Sequence, residues 1–153
     1  MRTENISKIL VGVDGSKCSM DALDYAIKIA KKEESVSIIA LYVIPSNTIY
    51  SNPTFFYAGM PLVHKNIIEG IKKDAQEWLN KIEKRNENDK ISIQTKIISG
   101  LSTVGELVEF ADREDVDLII VGTRGNTGFK KLLIGSTAQG VVTYAHCPVL
   151  VVK

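Results

Sequence analysis

The chain has 153 residues, 44% of them hydrophobic and 24% charged, the size and balance of one soluble globular domain with a core of its own. Nineteen Lys plus Arg against eighteen Asp plus Glu leave a formal charge of +1. No global field therefore draws the chain to nucleic acid or to an anionic membrane, and any anion must be captured locally.

Cys18 and Cys147 stand far apart, with no Cys-x-x-Cys or Cys/His cluster around them. This argues against a zinc site or a disulfide framework and predicts two reduced, buried or half-buried thiols. Met1-Arg2-Thr3-Glu4-Asn5 lacks the apolar core of a signal peptide, and the longest apolar run, residues 38–44, is far short of the ~18 residues of a membrane span. A soluble, cytoplasmic protein is expected. Asn5-Ile6-Ser7 fits the glycosylation sequon, which has no meaning in a chain that never enters the secretory path.

In chain order, Ile9-Leu10-Val11-Gly12-Val13 opens as a short β-branched run, the pattern of a strand buried on both faces. Met20, Leu23, Ile27 and Ala30 follow at helical spacing. Residues 36–44 are a second buried strand. The stretch 45–62 is rich in turn formers yet holds Tyr50, Phe55, Phe56 and Tyr57. Its aromatics either pin the loop to the surface or make a lid or partner-binding flap.

Ile67, Ile71, Ala75, Trp78, Leu79 and Ile82 define a second helix, and the mixed charges of 83–90 read as its solvated, fraying end and a turn. Ile91, Ile93, Thr95 and Ile97 alternate with polar residues, so that strand has one wetter face and belongs near an edge. Val104, Leu107, Val108 and Ala111 give a third helix, Leu118-Ile119-Ile120-Val121 a fourth strand, and Val149-Leu150-Val151-Val152 a last one. Strict alternation of strand and helix predicts right-handed crossovers and a five-stranded, doubly wound parallel sheet with helices on both faces. Ligands of such a sheet bind at the carboxyl ends of the strands, where the strand order reverses.

The fourth strand runs into Gly122-Thr123-Arg124-Gly125-Asn126-Thr127-Gly128, and a helix-compatible stretch begins only after Gly135-Ser136-Thr137. Glycines let backbone N–H groups approach an anion, and a helix N-terminus points its unpaired amides and positive dipole end at it. Ser136 and Thr137 add hydroxyl donors at the cap position. The same glycines also suit turns and helix capping alone, and the residues by themselves leave both readings open. Neither G-x-x-x-x-G-K-[ST] nor a G-x-G-x-x-G after the first strand is present, which argues against a P-loop motor or an ordinary dinucleotide dehydrogenase.

The spacing Gly122-x2-Gly125-x9-Gly135-Ser136 resembles the G-x2-G-x9-G-[ST] pattern of the ATP-binding branch of the universal stress protein family. The resemblance covers nearly the whole chain. Ile9-Leu10-Val11-Gly12-Val13-Asp14-Gly15-Ser16, Ala40-Leu41-Tyr42-Val43-Ile44-Pro45, Gly100, Asp117-Leu118-Ile119-Ile120-Val121-Gly122 and Cys147-Pro148-Val149-Leu150-Val151-Val152 follow in the family's order. It implies a Rossmann-like, adenine nucleotide alpha hydrolase-like fold and a site for ATP, with Mg or Mn able to accompany it, at Gly12, Val13, Asp14, Val43, Val121, Gly122, Arg124, Gly125, Gly135, Ser136 and Thr137.

By that resemblance Asp14 accepts the ribose hydroxyls, a role open to an acceptor-only carboxylate. Asp14 also suits helix capping before Lys17. Val43 meets the adenine edge through its backbone, and Gly122 and Gly125 touch ribose and phosphates. Gly135, Ser136 and Thr137 hold the β- and γ-phosphates, while Arg124 supplies charge or is solvated. Gly12 departs from the proline or alanine of several ATP-binding relatives, and Lys130-Lys131 fall in the nine-residue spacer. His64 and His146 have no acidic or thiol partner at ligand spacing and read as structural or surface residues.

The last strand is apolar on both faces and is expected at a sheet edge, where it needs cover or pairing. The family pairs the last strands of two subunits, which implies a homodimer through the C-terminal strand. Three functional readings follow: an ATP-binding sensor or switch in stress response, a slow ATPase or phosphotransferase on the same site, or a dimeric interaction module whose pocket binds another adenine nucleotide or nothing. The sequence names no clear general base, which favours the first, a nucleotide-binding protein rather than a true enzyme.

Overall fold

A computed structural model describes residues 5–33, 35–46, 61–86, 91–123 and 134–153. In chain order these form β1 (Lys8–Gly12), α1 (Lys17–Ala30), β2 (Ser37–Pro45), α2 (Pro61–Asn86), β3 (Ser92–Gly100), α3 (Thr103–Arg113), β4 (Leu118–Gly122), α4 (Ser136–Tyr144) and β5 (Val149–Val152). The expected alternation of strand and helix is present. The charged run 83–90 is helical as far as Asn86, and 87–90, like most of the aromatic stretch 45–62, lies outside the described residues.

All five strands pair in parallel, in the order β3-β2-β1-β4-β5. The chain steps from β1 out to β3, then returns to the other side of β1 for β4, so the order reverses between β1 and β4. The alternating strand β3 and the apolar strand β5 occupy the two edges, as expected. On the outer edge of β3, Glu83 of α2 accepts from Thr95 through both N–H (3.0 Å) and Oγ1 (2.6 Å), satisfying a donor that an edge strand would otherwise present to solvent.

Side chains of successive strand residues point to opposite faces and so build two cores. On one face Ile9, Val11, Val13, Ile38, Ala40 and Ile120 pack beneath α1 and α2, whose Leu23, Ala26, Leu79 and Ile82 face inward. On the other, Leu10, Ile39, Leu41, Ile119 and Val121 meet Leu107 and Phe110 of α3 and Ala138 and Val141 of α4. Ile9, Leu10, Ile119 and Ile120 are fully buried, each worth about 1.5–3 kcal/mol of apolar burial. Cys18 is half-buried and Cys147 buried, neither of them in a disulfide. Among the described residues, no helix is long and apolar enough to cross a membrane.

Candidate functional site

The amino ends of the central strands are flush. Ser37 donates to the Ser7 carbonyl (2.8 Å) and Asp117 to that of Lys8 (3.0 Å). The Asp117 carboxylate accepts from the N–H of Ser7 (2.9 Å), the hydroxyl of Ser7 (2.7 Å) and the N–H of Lys8 (2.9 Å).

At the carboxyl ends the strands part. The ladder between β1 and β4 ends at Val11 and Ile120, although β4 continues to Gly122, where it pairs with Val152. On the other side β1 stops opposite Leu41, and the last contact between the two is the Val13 N–H on the Leu41 carbonyl (3.0 Å). β2 runs on to Pro45 against β3. Backbone groups along a strand alternate in direction, so Val43, like Leu41, turns its N–H and C=O toward the β1 side, beyond the end of that strand. Its side chain is buried in the core beneath α3 and α4.

Leaving β1, the chain turns through Val13, Asp14 and Gly15 into α1. Gly15 has φ +76°, a left-handed conformation that glycine adopts without strain. Asp14 Oδ1 accepts the Ser16 N–H (2.9 Å), and the Asp14 N–H donates to Ser19 Oγ (3.2 Å). The N-cap of α1 is Ser16, whose hydroxyl accepts from the Ser19 N–H. Asp14 is thus not the helix cap but the residue that holds the cap's amide.

Gly122, at the end of β4, has a packing role that its place in a glycine-rich loop conceals. A Cβ there would stand 2.5 Å from the Cys18 carbonyl oxygen and 2.6 Å from its carbon, so only glycine lets the first turn of α1 cross β4 this closely. By contrast, a Cβ on Gly12 would meet Leu107 and Val121 at 3.3–3.4 Å, contacts that a small side-chain shift relieves.

Thr123 next joins the two ends of the glycine-rich stretch. It donates to the Val152 carbonyl (2.8 Å), and its own carbonyl accepts the Gly135 N–H (2.7 Å). Gly135 is the N-cap of α4 and makes no side-chain cap hydrogen bond. Ser136 is then the first helical residue rather than the cap, exposed, with Thr137 half-buried behind it. The first amides of α4 therefore open at the level of β4's carboxyl end, with the dipole sign that favours an anion. Arg124 and Gly125 lie outside the described residues, as does the pair Lys130-Lys131.

Gly12, Val13, Asp14, Val43, Val121, Gly122, Gly135, Ser136 and Thr137 thus come together around the carboxyl ends of β1, β2 and β4. A concavity of about 530 Å³, lined by Val104, Val108, Gly140 and Tyr144 among others, lies between α3 and α4 and shares none of these residues. Among the described residues no group of three or more His, Cys, Asp or Glu side chains could hold a metal ion.

The model of the universal stress protein family matches residues 5–153. The chain belongs to the universal stress protein family. It is 39% identical over 153 residues to universal stress protein MJ0531 of Methanocaldococcus jannaschii, an alignment covering 98% of this chain and 84% of the relative. Among solved structures it resembles MJ0577, a protein whose biochemical function was assigned from its structure, at 28% identity and TM-score 0.83, covering 97% of this chain and 96% of that one. A universal stress protein in complex with cAMP shares the fold at 24% identity and TM-score 0.60, covering 97% of both chains.

Two features of this universal stress protein are not legible in its sequence. Tyr42 and Trp78 meet edge to face, ring centroids 5.6 Å apart at 72°, beside the turn that carries Asp14. Helical periodicity marks Trp78 as inward-facing but gives no sign of its partner. His146 lies exposed with Nδ1 2.8 Å from Asp112 Oδ2, an acidic partner 34 residues away in sequence that no local spacing reveals.

Proposed function

We propose that this universal stress protein binds ATP in the crevice between the carboxyl ends of β1 and β4 and acts as a nucleotide-dependent sensor or switch. The observation that carries the reading is the joint arrangement of the switch point. There the β1–β4 ladder ends early, and the Gly135-to-Thr123 hydrogen bond brings a helix N-terminus without a side-chain cap to the same opening. This is the place where doubly wound sheets take ligands and where a phosphate meets its most favourable backbone.

In this reading Asp14 accepts the ribose hydroxyls, and the overhanging N–H and C=O of Val43 pair with the adenine edge. Val13 and Gly12 line the β1 side, with Val121 and Gly122 on the β4 side. Gly125 and Arg124 follow the phosphates, and Gly135, Ser136 and Thr137 donate to the β- and γ-phosphates. ATP supplies a large differential binding energy, and occupancy shifts the protein toward the state that binds it better. Mg or Mn would enter on the phosphates. The protein works in the cytoplasm as a single-domain subunit. It pairs through β5, whose alternation turns the N–H groups of Val149 and Val151 to the outer edge, in a two-fold homodimer.

Equilibrium binding of labelled ATP to the purified protein, with and without magnesium, tests the reading. Saturable binding supports it, and its absence in both conditions overturns it. A single-turnover assay on the loaded protein then separates a sensor, which retains ATP, from a slow ATPase.

A further inference from the structure

Ser19 and Thr123 are the buried polar side chains among the described residues, 4% and 7% exposed. Ser19 is satisfied: its hydroxyl donates to the Ser16 carbonyl (2.9 Å) and accepts from the Asp14 N–H (3.2 Å). Thr123 differs. Its backbone is engaged on both sides, the N–H with the Val152 carbonyl and the carbonyl with the Gly135 N–H. Its hydroxyl has no hydrogen-bond partner among the described residues. Packing alone would favour valine at this position, which has the same shape and no polar atom to satisfy.

Alternation along β4 sets the direction of that hydroxyl. Val121 packs in the core beneath α3 and α4, whereas Gly122 turns to the opposite face, where Cys18 of α1 lies. Thr123 carries the ladder with β5 one step further through its bond to Val152, so its side chain returns to the face of α4. On that side its carbonyl holds the N–H of Gly135, the N-cap of α4, which makes no side-chain cap hydrogen bond. The buried hydroxyl and the first amides of α4 are therefore donors gathered at one end of the crevice without an acceptor, and an anion is what completes such a set.

We infer that the Thr123 hydroxyl is a further ligand-binding group, donating to a phosphate oxygen seated on the amino end of α4, and that it favours nucleotides whose phosphate chain reaches α4 over the monophosphate. The inference deepens the nucleotide reading of the crevice and rests on it for the order of base, ribose and phosphates. A buried hydroxyl set for one acceptor discriminates against a ligand that lacks it, because the hydroxyl is then left unpaired.

The test compares wild type, Thr123→Val and Thr123→Ser by the thermal midpoint without ligand and by isothermal titration of ATP, AMP and inorganic pyrophosphate. Thr123→Val removes an unpartnered hydroxyl at constant shape, so its ligand-free midpoint should equal or exceed that of wild type. It should bind ATP and pyrophosphate roughly tenfold more weakly, with AMP within about twofold of wild type. Thr123→Ser keeps the hydroxyl and should recover most of the lost ATP affinity.

A lower midpoint in Thr123→Val together with equal weakening of ATP and AMP would make the hydroxyl structural and overturn the inference, while the nucleotide reading stands. Unchanged ATP affinity in Thr123→Val, or a Thr123→Ser protein as weak as Thr123→Val, overturns it equally. If wild type binds pyrophosphate but neither nucleotide, the nucleotide reading fails by itself. Pyrophosphate then decides for the Thr123 contact if Thr123→Val weakens it and against it if the affinity is unchanged. A wild type that binds none of the three overturns both.

Discussion

Asp117 and Asp14 sit at opposite ends of the same sheet and are used in opposite ways. Asp117 gathers the N–H and hydroxyl of Ser7 and the N–H of Lys8, residues 109 and 110 positions away in sequence, and so ties β1 to β4 where both begin. Asp14 holds the N–H of Ser16 within its own turn, at the end where β1 has left both neighbours. A carboxylate that spans two strands closes a sheet end. One that holds an amide within its own turn shapes the exit from the strand instead. The amino end is therefore where stability is concentrated, and the carboxyl end where a ligand can be admitted.

The comparison breaks most sharply at Gly135. A valine there would fill the space at the start of α4 that the phosphates need, while φ −63° and ψ 155° are values any residue adopts. Gly135→Val should fold normally and weaken ATP binding roughly a hundredfold or more, about 2.7 kcal/mol, as measured by isothermal titration. Unchanged affinity in the folded variant would show that the phosphates lie elsewhere. Asp117→Ala should do the reverse. Losing three hydrogen bonds to one carboxylate, with partial exposure limiting the loss, costs about 2–3 kcal/mol in urea denaturation, while ATP affinity remains within about twofold.

Gly122 sharpens the comparison because it belongs to both accounts. An added methyl would press on the Cys18 backbone, which cannot yield as a flexible side chain would, so Gly122→Ala should lose about 1–3 kcal/mol of stability. The resulting shift of α1 should weaken ATP binding as well. A variant that loses affinity at full stability would assign Gly122 to the ligand alone.

Much of this was legible in the residues. The continuous β-branched runs of β1, β2 and β4 and the alternation of Ile91, Ile93, Thr95 and Ile97 identify central and edge strands because burial on two faces or one leaves a different periodicity. The spacing from Gly122 to Gly135-Ser136 carries the resemblance to the universal stress protein family, to which the chain belongs. What stayed hidden depends on tertiary neighbours. The clash that makes Gly122 obligatory comes from Cys18, 104 residues earlier, and the cap of α4 falls on Gly135 rather than on the hydroxyl residues that follow. The Ser16 cap illustrates the same limit: Asp14, Ser16 and Ser19 are all competent cappers, and only the turn at Gly15 decides which oxygen meets which amide.

The smallest effect expected is also the most selective for the carboxyl end. Tyr42 is held above its ordinary pKa by burial first and by Asp14 second, so the folded protein resists its ionisation while the unfolded chain does not. Below the unfolded value, near 10, both states are protonated and the tyrosine adds no pH dependence. As pH rises through that value the unfolded chain loses its proton first, so stability falls with rising pH until the folded phenol ionises too. Tyr42→Phe removes this contribution, and its stability, measured by denaturation between pH 9 and 11, should decline less steeply than that of wild type. Asp117→Ala, altered at the other end of the sheet, should keep the wild-type slope over the same range. Equal slopes in wild type and Tyr42→Phe would show that neither burial nor Asp14 perturbs the phenol in the folded protein.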